Sequence, residues 1–153
     1  MRYTQSQIRE LLSISIDALR VWRDAVPSLA NHKGHAPTFT PGDVVAVAIL
    51  AELVRNFGVR VTVVSDRVDQ LFTACHGKSW LSLESCVVLF EADAIRLVEA
   101  DDPRHLLPAK PVIYFPCAPI VARLQAALVA TEAHLNQGHL QFPPTNVRVG
   151  MSQ

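Results

Sequence analysis

The stretch "YTQSQIRELLSISIDALRVWRD", residues 3–24, holds two short amphipathic segments with almost nothing between them, and its reading decides the fold of the first half. Thr4 to Gln7 fits a capping box: the Thr hydroxyl can accept from the amide three residues on, while Gln7 reaches back. Ile8, Leu11 and Leu12 then recur at helical spacing. Ser13-Ile14-Ser15 interrupts that run, because Ser side chains compete for backbone hydrogen bonds and favour caps over helix interiors. Ser15 is placed as the next N-cap, with Asp17 in the first turn, where the helix dipole favours a carboxylate. Leu19 and Trp22 share one side of this second helix, Asp17, Arg20 and Arg23 lie elsewhere, and Pro27 stops it. The pattern predicts a helix-turn-helix. A tight turn would hold the second helix across the first, so that its polar face can enter a major groove about 12 Å wide. An αα-corner in any helical domain has the same local pattern.

The residues that follow bear on that choice. Residues 27–38 include "NHKGHAP", in which Gly34 sits between His32, Lys33 and His35 ahead of Pro37; this reads as an exposed hairpin or loop tip. In "TFTPGDVVAVAILAELVRNFG", Thr40 is the expected N-cap, Pro41 the first helical residue, and Gly58 the stop after Phe57. Val44, Val47, Ala48, Leu50, Ala51 and Val54 give this helix a broad apolar face. Residues 61–72 start with β-branched residues that would suit a strand, but Val64, Val68, Leu71 and Phe72 repeat at helical spacing, so a helix is expected.

The order and spacing of these pieces resemble the DNA-binding domain of the MerR family of winged-helix regulators. "YTQSQIRELLSISIDALRVW" is similar to the family's opening, where an aromatic-Thr pair leads the first helix; Leu19-Arg20 matches its Leu-Arg, and Val21-Trp22 stands where an aromatic pair is usual. "FTPGDV" resembles the step that closes the wing and starts the third helix, and "LVRNFGV" resembles the step between the third and fourth helices. The resemblance covers about residues 2–72. It implies a bacterial-type, cytoplasmic transcriptional regulator bound to double-stranded DNA as a homodimer. It also implies that Arg20 touches the DNA backbone and that Trp22 packs or contacts phosphate. Wing arginines are absent, Pro37 and Thr38 standing in their place, so His32, Lys33 and His35 are the substitutes. Ser15, Asp17 and Arg23 complete the expected DNA-binding set, Asp17 and Arg23 as the candidates for base contacts.

Composition limits the remainder. Half of the 153 residues are apolar and 18% charged, as in a folded globular chain. Fourteen Lys and Arg balance fourteen Asp and Glu, so any DNA affinity must come from where the cations sit. Residues 44–51 are the most apolar run and meet Glu52 too soon for a membrane span. The N-terminus lacks the apolar region of a secretory signal, which leaves the cytoplasm as the default.

The second half reads as a small α+β unit, 75–153, after a winged helix-turn-helix over 1–74. "CHGKSWLSLES" is expected to connect the two. Residues 86–90 and 94–99 suggest a hairpin, 112–115 a third strand, and Pro119 to about Leu135 a helix, ahead of an irregular tail from Gly138. Sheet plus one helix would leave an apolar face for dimerisation or effector sensing. Cys75, His76, Cys86 and Cys117 fit no zinc spacing, and no phosphate loop or nucleophile elbow occurs, so no metal, cofactor or catalytic residue is assigned. Neutral charge keeps open a protein-interaction module, or an excisionase-like mobile-element accessory protein, built on the same winged helix.

Overall fold

The computed structural model describes residues 1–32, 35–102 and 109–137, the last six as backbone alone. The chain is α+β: helices α1 (Gln5–Leu12), α2 (Ile16–Ala25), α3 (Pro27–Ala30), α4 (Pro41–Phe57), α5 (Val61–Cys75), α6 (Trp80–Glu84) and α7 (Cys117–Gln137), with strands β1 (Cys86–Glu91), β2 (Ile95–Glu99) and β3 (Val112–Pro116).

Caps written into the sequence set most helix starts. Thr4 Oγ1 accepts from the Gln7 amide at 3.2 Å and Gln7 Oε1 accepts from the Thr4 amide at 2.9 Å. Ser15 Oγ accepts from Ala18 N at 3.1 Å. Between these two helices Ser13 takes up the left-handed conformation (φ 52°), and its amide bonds back to the carbonyls of Arg9 and Glu10. Ile14, buried, pins the turn to the core. Arg55 then donates from Nη2 to the carbonyls of Leu12 and Ser13, 2.7 Å each, satisfying acceptors that the end of α1 would otherwise leave open. A guanidinium from α4 therefore holds the helix-turn-helix in shape.

α4 is the centre of the molecule. Thr40 and Asp43 form its capping box, Pro41 occupies its first turn, and Gly58 ends it at φ 63°. The sequence predicts one apolar face, but residues 42–51 are all buried, Val45, Ala46 and Ile49 as completely as Val44. A helix apolar all round belongs inside, surrounded by other elements. α5 packs along it, and α1, α6 and α7 touch it elsewhere. At Gly42 the approach of α5 is so close that an added Cβ would lie 1.8 Å from the Cys75 carbonyl oxygen.

The sheet has the order β2-β1-β3 with both pairs antiparallel; Leu89 of β1 faces Arg96 on one side and Tyr114 on the other. Cys86, Val88, Phe90 and Phe115 point into the core. The expected single covering helix is instead three, since α5, α6 and α7 all pack on strands. One cluster of buried residues runs from Tyr3 to Leu124, so the packing is continuous across residue 74.

Other boundaries moved. Pro27 stops α2 as expected but starts the one-turn α3, because a Pro is favoured in a first turn. The described part of residues 27–38 opens with α3, the tip expected at Gly34 lies outside the described residues, and Phe39 then pairs with Tyr3 through two backbone hydrogen bonds of 2.9 and 3.1 Å. The connector after Cys75 carries α6, capped by Ser79, and α7 begins at Cys117, two residues before Pro119. The expected irregular tail from Gly138 lies outside the described residues. No described helix is long and apolar enough to cross a membrane.

The close approach at Gly42 is directly testable. Alanine improves intrinsic helix propensity by up to ~1 kcal/mol, yet here its methyl group must displace backbone. Gly42→Ala is expected to lower the unfolding free energy in urea by about 2 kcal/mol or more; an unchanged or raised midpoint would contradict the packing described.

Candidate nucleic-acid interface

The polar face of α2 looks across a cleft at the N-terminal half of α1. Ile16, Arg20 and Arg23 on α2 follow an i, i+4, i+7 stripe, with the buried Leu19 at the floor between them, and Gln5 and Arg9 on α1 are four apart. Together with Thr4, Ser6 and His35 they line a cleft of about 400 Å³ that no carboxylate borders. Three guanidiniums thus share one concavity. Arg20 is exposed and makes no hydrogen bond or ion pair with a described residue. Arg23 is half-buried and donates from Nη1 to Gln5 Oε1 at 3.3 Å. The Nε of Arg9 is buried with no hydrogen-bond partner among the described residues. Such an atom carries a desolvation cost that no described residue offsets.

The residues singled out from sequence divide accordingly. Arg20, Arg23 and His35 meet in the cleft. Ser15 is engaged in capping, and Asp17 is exposed in the first turn of α2, outside the cleft lining. Trp22 is only 5% exposed and belongs to the core, so of its two expected roles the structure shows packing rather than phosphate contact. His32 stacks on Phe39 with ring centroids 3.9 Å apart and turns its Nδ1 to Thr38 Oγ1 at 2.9 Å, away from the arginine cleft. Lys33 lies outside the described residues. The sequence reading did not single out Arg9. Its signal was the four-residue step from Gln5, but only the fold shows that this stripe faces α2.

Gln5 ties the two regions together: its Oε1 receives Arg23, and its Nε2 donates to the His32 carbonyl. Arg55 lies outside this cleft, where it donates to the carbonyls at the end of α1.

Comparison with models of known protein families finds no match to this chain, and comparison with curated proteins finds none either.

The cysteines stand apart from any site. No group of three or more His, Cys, Asp or Glu among the described residues is arranged to hold a metal ion. Burial pushes the Cys75 thiol up to about 12 and the Cys117 thiol up to about 11, and raises that of Cys86 as well. All three are buried and free. A thiol reacts as its thiolate, so the folded protein at pH 8 is expected to give no colour with Ellman's reagent over minutes, and three equivalents once unfolded in guanidinium. Fast reaction of one thiol in the folded protein would contradict this burial.

Proposed function

We propose that the protein is a sequence-specific, DNA-binding transcriptional regulator of the MerR-like type, acting in the cytoplasm as a homodimer with α2 as its recognition helix. The observation that carries this reading is the carboxylate-free cleft in which Arg9, Arg20 and Arg23 converge beside the outward face of α2. A phosphate group seated there would receive charge-assisted hydrogen bonds from guanidiniums that have few or no partners of their own. Phosphate contacts of this kind fix the register of a helix on the duplex without reading sequence. With the backbone held at that point, the first turns of α2 enter the major groove, and Asp17, Ile16 and Val21 are the side chains presented to base edges. Apolar side chains suit thymine methyl groups, and a carboxylate accepts from the cytosine amine. Residues 75–153 supply the second function of such a protein, dimerisation or effector response, and two copies would match paired half-sites on DNA.

A non-catalytic protein-interaction module is the alternative that one observation favours. Ile16 and Val21 are each 56% exposed on α2, which also suits a protein partner, and the chain carries no net charge.

The test uses Arg20. Removing one phosphate-binding cation reduces the slope of log affinity against log salt by about one. Arg20→Ala is expected to weaken binding to every DNA sequence by a similar factor and to lower that slope by about one, while Arg20→Lys keeps most of it. Affinity and slope both unchanged in Arg20→Ala would remove the cleft from the interface.

A further inference from the structure

A second cleft, of about 470 Å³, opens among Arg2, His32, Thr38, Asp43, Thr73 and His76. Asp43 lies at its base, 1% exposed and held on both sides. Its Oδ2 accepts from the Thr40 amide at 2.8 Å, and its Oδ1 lies 3.0 Å from His76 Nδ1. An ionised carboxylate can only accept, so His76 carries its hydrogen on Nδ1 and Nε2 is left without a described partner, on a side chain 60% exposed. A capping box needs one carboxylate oxygen; here the second orients an imidazole. Opposite, His32 is fixed by its stack on Phe39 and by Thr38. Arg2 makes a single long hydrogen bond, 3.4 Å to the Thr38 carbonyl. Three nitrogen-bearing side chains therefore border one cavity, two of them with their rings locked.

We propose that this cleft binds a small oxyanion, the carboxylate or phosphate group of a low-molecular-weight ligand, through His76 Nε2 with Arg2 and His32 beside it. On binding, His76 takes one proton from solvent at Nε2, and the imidazolium is then bracketed by Asp43 at Nδ1 and by the anion at Nε2. Both nitrogens of a doubly protonated imidazole donate, so one ring can serve the Asp43 carboxylate and the anion at once. The neighbouring groups are Arg2 from the N-terminus, His32 after α3, Asp43 on α4 and Asp69 on α5. Asp69 Oδ1 is occupied by the Ser28 amide and hydroxyl at 2.7 and 2.5 Å. Burial holds His32 below the ordinary imidazole value, against the pull of Asp43 and with the help of His76 and Arg2. His32 is thereby disfavoured as the proton acceptor. The site does not depend on the DNA reading.

The full chain, with its histidines labelled with ¹⁵N, is titrated with sodium sulfate at pH 6.0, 7.0 and 8.0, followed by imidazole ¹H–¹⁵N spectra. Sulfate is the probe because it does not itself titrate in this range; inorganic phosphate and acetate distinguish the two ligand sources. The expected result is the Nδ1–H form of His76 without anion and a saturable shift of its Nε2 with sulfate. Affinity should fall with rising pH, approaching about tenfold per unit where one proton is taken up. His76→Gln, whose amide can still donate to Asp43, should keep the fold and lose the saturable response. No saturable shift with any of the three anions would overturn the site. Binding that is independent of pH, or undiminished in His76→Gln, would overturn the role given to His76.

Discussion

The first turn of α4 is the constraint on which the remainder of the structure depends. Gly42 lets the end of α5 come close enough that the Cys75 carbonyl occupies the space a side chain would need. That approach brings His76 to Asp43, so the carboxylate that caps α4 also anchors the chain leaving α5. It also sets the start of α6, where Trp80 donates from its ring nitrogen to the Pro41 carbonyl at 2.8 Å. Tyr3 stacks on Trp80 with centroids 5.8 Å apart, and its backbone pairs with Phe39 just before the cap. An aromatic pair of this kind adds about 0.5–1.5 kcal/mol beyond its buried area. The N-terminus, the end of α5 and the start of α6 are thus tied to one helix end.

From that point the outward display of α2 follows. α4 grips the N-terminal pair of helices at two places, through the Tyr3–Phe39 bridge beside its start and through Arg55 near its end. With α1 fixed at both ends, Leu19 and Trp22 drop into the core. On the other side Ile16, Asp17, Arg20 and Val21 are exposed among the described residues, so the helix has a buried side that fixes its position and an exposed side that carries Arg20. The core runs on through α5, α6 and the sheet to α7, so force on α2 is borne by the whole interior rather than by a small N-terminal bundle.

Local chemistry was legible in the sequence, and distant pairing was not. Thr4 with Gln7, Ser15, and Thr40 ahead of Pro41 each announce a helix start because the cap and the amide it satisfies lie within four residues. Gly58 announces an end for the same reason. The strands fell where β-branched runs meet turn residues, and the α+β class followed. The four-residue α3 was missed because one turn has no periodicity to read. One apolar face of α4 is legible from periodicity, but the burial of Val45, Ala46 and Ile49 off that face depends on the helices packed around it. Arg55 on α1, Asp43 with His76, and Arg9 facing α2 all join residues of different elements. No spacing rule reports such pairs. Trp22 shows the limit most plainly: an aromatic at that position suits a core or a phosphate equally, and the fold puts it in the core.

The direct measurement is selection of genomic fragments by the purified protein, followed by binding of the enriched fragments across a salt series. The account predicts enrichment of a site with two related half-sites and a steep fall in affinity with salt, by several units of logarithmic slope, as neutralised phosphates require. No enrichment, with binding no stronger than that of a neutral control protein, would contradict it and turn attention to Ile16 and Val21 as a surface for a protein partner.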